Sequence, residues 1–75
     1  MQVKQYTLTV GDQTLTYGYS ITIRKWVFKT GNFRILVRCK GSEIGHKVAN
    51  IIAGGLKRTG YVDGLARKNI SKITS

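Results

Sequence analysis

Residues 14–23 read TLTYGYSITI, and every second position of this stretch is apolar or aromatic. The apolar positions are Leu15, Tyr17, Tyr19, Ile21 and Ile23. Side chains two residues apart share one face of an extended chain, so these five face one way while the threonines between them face the other. This period of two predicts a long, half-buried β-strand over residues 14–23.

The alternation slips by one residue just after this stretch. Apolar side chains continue at Trp26 and Phe28, which are even-numbered positions, whereas the preceding apolar positions are odd-numbered. One extra residue in a strand moves all later side chains to the opposite face. The slip therefore predicts a β-bulge near Gly18 or Arg24, within a strand that a turn over residues 29–32 closes.

Two further strands are predicted on either side of this long one. Residues 2–10 alternate in the same way and are followed by the turn dipeptide Gly11-Asp12, which predicts a β-hairpin. Residues 33–40 form the other strand, and its inward side chains are predicted to be Phe33, Ile35, Val37 and Cys39. Its opposite face carries Arg34, Leu36, Arg38 and Lys40, three of which are cationic.

A helix is predicted after Gly41. Ser42 is a favourable N-cap residue, and Glu43 places a negative charge near the first unpaired backbone N–H groups. An apolar stripe at helical spacing follows, consisting of Ile44, Val48, Ile51, Ile52 and Leu56. Gly60 is the predicted end of the helix. Residues 66–74, with Ile70 and Ile73 in a basic context, are interpreted as a short edge strand.

The elements add up to one α+β domain over residues 1–75. Its mostly antiparallel sheet consists of the hairpin, the long strand and the third strand, with one main helix covering it and a short C-terminal strand. A chain of this length forms only one small core. Because the first or the last strand leaves an unprotected edge, we expect a homodimer, and the sequence leaves open which edge pairs.

The charge of the chain indicates a polyanionic partner. Lys and Arg number 13 against 3 acidic residues, a formal net charge of +10, and all the basic residues except Lys4 lie from Arg24 onward. Such a polarised excess is typical of proteins that bind nucleic acid. Arg34, Arg38 and Lys40 lie on the same side of one predicted strand, at about 6 to 7 Å per two residues, close to the phosphate spacing of a nucleic-acid strand.

The prediction is therefore binding to DNA or RNA, mainly through phosphates and with little sequence specificity. The predicted contact residues are Arg24, Arg34, Arg38, Lys40, Lys47, Lys57 and Arg58. Trp26 and Phe28 lie between cations and admit two interpretations, stacking on bases or packing in the core. The sequence does not distinguish DNA from RNA or single from double strands.

Catalysis and cofactor binding find little support in the residue counts. The chain has one histidine, His46, one cysteine, Cys39, and three acidic residues, too few for a Cys-based metal cluster or for convincing general acid–base pairs. We therefore predict a non-enzymatic protein without metal or cofactor, with His46 on the helix surface. A lone cysteine and the absence of a long apolar run favour a cytoplasmic protein that is neither secreted nor membrane-spanning, associated with the nucleoid or, if viral, in the host cytoplasm.

Residues 35–52, ILVRCKGSEIGHKVANII, resemble the Alba family of nucleic-acid-binding proteins, in which a strand ends in a basic residue and a glycine before an isoleucine-bearing helix. Lys40-Gly41 and Ile44 match that pattern. The later Gly64-Leu65 and residues 70–73 look like the family's loop and following strand, so the resemblance covers about residues 33–75. It implies a dimer that binds duplex DNA or RNA, with Lys40 contacting the backbone.

Two other functions remain open on the same composition. One is a small protein-binding module or inhibitor, of the kind encoded by a virus or mobile element, whose basic face docks on an acidic partner. The other is a ribosome-associated protein, which would share the electrostatics of a nucleic-acid-binding protein.

Overall fold

The computed structural model describes residues 4–31 and 33–74, and it confirms an α+β fold. Its elements in chain order are β1 (Gln5–Val10), β2 (Gln13–Ser20), β3 (Lys25–Lys29), β4 (Arg34–Val37), α1 (Ser42–Thr59) and α2 (Gly64–Thr74). The strands form one antiparallel sheet in the order β1-β2-β3-β4. The beginning of the predicted first strand, before Lys4, and Asn32 of the predicted turn lie outside the described residues.

The predicted long strand is wrong, because the chain reverses within it. β2 ends at Ser20, a four-residue turn follows, and β3 begins at Lys25, which pairs with Ser20. Arg24 closes this turn in the left-handed region, with φ of 56°. The slip in the alternation thus marks a hairpin turn, and the predicted bulge is replaced by a change of strand. Ile21 and Ile23 lie in the turn and are exposed.

The face of the sheet that packs against the helices is rich in aromatic side chains. Tyr6, Tyr17 and Phe28 are cross-strand neighbours in successive strands, and Ile35 continues the row. The rings of Tyr17 and Phe28 stack with centroids 5.5 Å apart, and Tyr6 stacks on Tyr17 at 5.3 Å. Offset aromatic pairs of this kind stabilise a sheet beyond the area they bury, so this row anchors the core.

Helix α1 covers this aromatic face with the predicted apolar stripe. Val48 and Ile52 are fully buried and Leu56 nearly so. The N-cap position is Gly41, which has extended backbone and makes no side-chain capping bond, so the prediction that Ser42 caps the helix is wrong by one residue. The predicted end is confirmed: Gly60 has φ of 85°, and its N–H donates to Leu56 O over 2.9 Å.

Close approach to α1 depends on glycine at two positions. A Cβ on Gly45 would lie 2.8 Å from the ring of Trp26, and one on Gly55 would lie 3.0 Å from Tyr61 O and 3.3 Å from Ala66 Cβ. The first contact brings α1 down onto β3, and the second brings α2 against α1. The Gly54-Gly55 pair therefore weakens the helix intrinsically but permits a close helix–helix contact.

The predicted C-terminal strand is wrong, since Gly64–Thr74 is a helix. Asp63 starts it: Ala66 N–H donates to Asp63 Oδ1 over 2.9 Å and Arg67 N–H to Asp63 O over 3.0 Å. Ala66 and Ile70 then bury one side of the helix at a spacing of four residues. The spacing of three between Ile70 and Ile73 belongs to the same helical stripe, and the pattern of a strand does not apply.

Candidate nucleic-acid interface

The helices pack on one side of the sheet, and its other side, which we name the outer face, has no helix of the described chain against it. The outer face consists of the alternate side chains Gln5, Thr7, Thr9, Thr14, Thr16, Gly18, Ser20, Lys25, Val27, Lys29, Arg34 and Leu36. Its composition is divided: β1 and β2 contribute mainly hydroxyl groups, whereas β3 and β4 contribute cations.

Lys29 and Arg34 are directly opposite each other on β3 and β4, and both are exposed. Opposed residues have Cβ atoms about 5 Å apart, and like charges in this position destabilise a sheet. Lys25 lies four residues before Lys29 on the same face of β3. The structure therefore concentrates positive charge on the β3–β4 half of the outer face.

The three acidic residues do not offset this charge. Asp12 lies in the β1–β2 turn, Glu43 in the first turn of α1, and Asp63 between the helices. Glu43 is paired with Lys47, and Asp63 with Arg58. Among the described residues, no carboxylate lies on the outer face.

Of the seven predicted contact residues, Arg34 lies on the outer face, and three others lie near its ends. Arg38 follows the last residue of β4, Lys40 lies in the connection to α1, and Arg24 lies in the β2–β3 turn; all are exposed. Because β4 has only four residues, the predicted ladder of Arg34, Arg38 and Lys40 along one strand is wrong in its extent.

Lys47, Lys57 and Arg58 belong to a different surface. They occupy exposed positions of α1, in the helical layer that lies across the sheet from the outer face. Arg58 is engaged by Asp63 through a two-pronged contact, with Nη2 2.9 Å from Oδ1 and Nε 3.2 Å from Oδ2. The hydrogen bond from Arg58, followed by that from the Ala66 N–H, lowers the pKa of Asp63. The seven predicted residues are thus not gathered on one face.

The interpretation that Trp26 and Phe28 stack on bases is wrong. Trp26 is 6% exposed and Phe28 is fully buried, so neither ring offers a free face to a base. The alternative interpretation, packing in the core, is confirmed. Both side chains point toward α1, and their rings lie 6.4 Å apart.

Lys25 and Lys29 were missing from the predicted contact residues, although the sequence contained a signal for them. If Trp26 and Phe28 face the core, their neighbours must face outward. The pairing of Lys29 with Arg34 across the short turn then follows from antiparallel register. The signal was obscured because one long strand was assumed where there are two.

An open groove of about 730 Å³ runs over the outer face along β2. Its walls include Thr14, Thr16 and Ser20 from β2 and Lys29 from β3. Gly18 lies in its floor, where a Cβ would come within 2.8 Å of Lys4 O, so a side chain there would collide with the backbone just before β1. The groove thus joins hydroxyl donors to a cationic rim, a combination suited to phosphate and sugar oxygens.

His46 is less exposed than its predicted place on the helix surface implies. It is half-buried, its Nδ1 lies 2.8 Å from Tyr17 Oη, and its ring meets Tyr6 edge-on with centroids 4.6 Å apart. Burial, and then the neighbouring Tyr6, raise the pKa of Tyr17. Burial likewise raises the pKa of the Cys39 thiol. These groups lie on the helix side of the sheet, so they belong to the core and not to the outer face.

Searches for a metal site and for a membrane span gave negative results over the part of the chain that the structure describes. Residues 4–31 and 33–74 contain no group of three or more His, Cys, Asp or Glu side chains arranged to hold a metal ion. Neither helix within those ranges has the length and apolar character needed to cross a bilayer.

Comparison with protein-family models, curated proteins and solved structures gives no match for this chain. The resemblance to the Alba family stays a prediction, and the strand that it implies after the helix is α2 in this fold.

Proposed function

We propose that this protein binds nucleic acid through the outer face of its sheet, mainly by contacts with phosphates and with little sequence specificity. The observation that carries the proposal is the Lys29–Arg34 pair, two like charges opposed across β3 and β4. Such a pair costs stability in the free protein and becomes favourable when a polyanion lies between or over the two cations.

The arrangement of the hydroxyl groups supports the same proposal. Thr16 is the cross-strand neighbour of Lys29, and Thr7 is the neighbour of Thr16, so one row leads from hydroxyls to cations. Phosphate contacts in nucleic-acid complexes commonly combine Lys or Arg with Ser or Thr hydroxyls. None of the described side chains that define the outer face is aromatic, and Tyr19 at the margin of the groove is only partly exposed, which favours backbone contacts over base recognition.

The proposed contacts are ranked by their place in the fold. Lys25, Lys29 and Arg34 are primary, and Arg24, Arg38 and Lys40 extend the surface at its ends. Lys47, Lys57 and Arg58 lie in the other layer and are not part of the primary contact. The proposal includes no catalytic step, and a cytoplasmic location accompanies it because the chain has a single, unpaired cysteine.

The test is a set of anisotropy titrations with labelled duplex DNA, single-stranded DNA and RNA across a salt series. Affinity should fall steeply between about 50 and 200 mM salt, because binding releases counterions. Lys29→Gln with Arg34→Gln should weaken binding on the order of tenfold per cation at about 0.1 M salt and reduce the slope of log affinity against log salt by about 2.

The matched control is Arg67→Gln with Lys68→Gln, which removes the same charge from exposed positions of α2. If the two double variants lose affinity equally, net charge drives binding and the outer face is not the interface. If wild-type protein binds none of the three nucleic acids, the proposal fails. Retention of a stoichiometric protein partner after nuclease treatment would instead support a protein-binding module.

A further inference from the structure

The sheet has two edges, β1 and β4, which differ in how they are protected. β4 has four residues, begins with Arg34 and is followed by Arg38, so a second copy approaching it would meet like charges. β1 has six residues, Gln5–Val10, and none of them is charged. Short length and charge are the usual protections of an edge strand, and β1 has neither.

The unpaired backbone groups of β1 can be assigned from its pairing with β2. The two-residue turn Gly11-Asp12 is closed by Val10 opposite Gln13, which in such hairpins is a hydrogen-bonded pair. Hydrogen-bonded and non-hydrogen-bonded pairs alternate along an antiparallel ladder. The N–H and C=O groups of Gln5, Thr7 and Thr9 therefore point away from β2, toward the free edge.

We propose that β1 pairs antiparallel with β1 of a second copy of this chain, with Thr7 opposite Thr7, to form one sheet of eight strands. The alternation of faces requires odd positions to oppose odd positions and even to oppose even. Centring the pair on Thr7 forms three doubly hydrogen-bonded pairs, one at Thr7 and two between Gln5 and Thr9. Centring it on Leu8 forms only two, between Thr7 and Thr9.

The chemistry of the edge fits a second copy. Tyr6, Leu8 and Val10 are only half-buried, and the Thr7-centred register sets Tyr6 opposite Leu8 of the second copy, in a close pair that increases the burial of both. Lys4, the cation nearest the edge, would lie opposite Val10, about 20 Å from its symmetry mate. That separation exceeds the Debye length of about 8 Å at physiological salt, so the like charges repel little.

This dimer leaves the outer face free. A two-fold axis perpendicular to the sheet relates two antiparallel edge strands, so the helices of both copies lie on one side and both outer faces on the other. The cationic β3–β4 halves then lie at the two ends of a continuous surface. The dimer is independent of the proposed function, because its contacts lie at the opposite edge of the sheet from Lys29 and Arg34.

The direct test is disulfide trapping in nuclease-treated protein, with Cys39→Ser removing the native thiol. Opposed residues in a hydrogen-bonded pair have Cα atoms about 5.5 Å apart, a distance that a disulfide spans. Thr7→Cys should therefore form a covalent dimer on mild oxidation. Thr14→Cys, on the same face but in the interior strand β2, and Arg34→Cys, at the other edge, are matched controls and should stay monomeric on a non-reducing gel.

The second test is the mass of the protein in solution, measured by light scattering during size-exclusion chromatography. Wild-type protein should be a dimer and Thr7→Lys a monomer, because the two lysines would oppose each other at the two-fold axis. Thr7→Pro should act likewise, since the N–H it removes points to the free edge. Thr14→Lys adds the same charge away from the edge and should remain dimeric; circular dichroism verifies that each variant is folded.

A monomeric wild-type protein, or a dimer that persists in the folded Thr7 variants, would contradict the proposal. Trapping by Arg34→Cys in place of Thr7→Cys would assign the interface to β4 instead. These measurements use protein without nucleic acid, so a result that contradicts the dimer does not contradict the proposed function.

Discussion

Two adjacent rows of the same sheet, one residue apart on every strand, have opposite chemistry. The inner row consists of Tyr6, Tyr17, Phe28 and Ile35, and the outer row of Thr7, Thr16, Lys29 and Arg34. The inner row is apolar, is aromatic in three strands and lies under the helices. The outer row changes from hydroxyls to cations across the sheet and lies in solvent.

The difference between the rows separates the side chains that determine stability from those of the proposed binding surface. A side chain in the inner row loses its hydration on folding and gains packing contacts, so its size and shape determine the stability of the fold. A side chain in the outer row stays largely hydrated, so folding constrains it little. The charge of the outer row is consequently free to serve a ligand. The following predictions test how complete this separation is.

The largest effect is expected from neighbouring substitutions in β3. Phe28 is fully buried, and Phe28→Ala should cost about 3 to 5 kcal/mol, most of the stability of a domain of this size. Lys29→Ala should change stability by no more than about 0.5 kcal/mol, because it removes a repulsion from Arg34. Urea unfolding followed by the fluorescence of Trp26, the single tryptophan, measures both.

The two faces are not separable if Lys29→Ala destabilises the protein as much as Phe28→Ala. A folded and stable Phe28→Ala variant would show that the inner row is not the anchor of the core.

A smaller effect is expected from glycine substitutions in α1. Gly45→Ala would place its Cβ against the buried Trp26 ring and should cost about 1 to 3 kcal/mol. Gly54→Ala, in the same helix, meets only the end of the Arg58 side chain at 3.4 Å and should stabilise the protein by up to about 1 kcal/mol. Thermal unfolding should therefore shift in opposite directions for the two variants. A shift in the same direction would contradict the close contact between α1 and β3.

The hydroxyl of Tyr17 should contribute about 1 kcal/mol through its contact with His46. Tyr17→Phe removes this contact and leaves the stacked ring in place, whereas Tyr19→Phe, at a partly exposed position, should change stability by less than about 0.5 kcal/mol. Burial raises the pKa of Tyr17 above 10.0. The stability that its neutral hydroxyl contributes is therefore present below pH 10 and is lost as the pH rises through the raised pKa.

Urea unfolding of both variants over a series of alkaline pH values measures this contribution. Equal stability of the two variants would show that the Tyr17–His46 contact contributes nothing. An alkaline loss of stability unchanged in Tyr17→Phe would show that the loss does not come from ionisation of the Tyr17 hydroxyl.

The smallest effect is expected at Asp63, in the connection between the helices. Its lowered pKa means that its contribution to stability is present above its ordinary value of 3.8 and is lost as the pH falls through the lowered value. Asp63→Asn should flatten this acid dependence while keeping an oxygen that caps α2, and Asp63→Ala should also lose the cap. Melting temperatures of the wild-type, Asp63→Asn and Asp63→Ala proteins, measured between neutral and acid pH, test both effects. Equal melting temperatures for the two variants would show that the Asp63 side chain does not cap α2.

The sequence predicted those features that depend on local pattern. The hairpin of β1 and β2, the inward set Phe33, Ile35 and Val37, and the stripe and end of α1 follow from period-two or helical spacing and from a glycine signal. The division of the long strand was missed because residues 21–24 continue the alternation in a turn that carries no glycine or proline. Only the pairing of Ser20 with Lys25 reveals it.

The C-terminal helix was missed for a related reason. Its intrinsic signal is weak, with Asn69, Ser71 and Thr74 in a segment of eleven residues. Packing of Ala66 into the space left by Gly55, and the Asp63 cap, stabilise the helix in its tertiary context. Helical stability in proteins comes mostly from such packing, which a single segment does not reveal.

The sequence by itself determined the α+β class, the apolar face of each main element and the excess of positive charge, because these follow from composition and from spacing along the chain. The tertiary structure decided which of the cations lie next to each other. Lys29 and Arg34 are adjacent only through the register of β3 and β4, while Lys47, Lys57 and Arg58 were separated from them by the packing of α1 on the opposite side of the sheet. Contacts across strands and layers depend on register and packing, and neither is a local property of the chain.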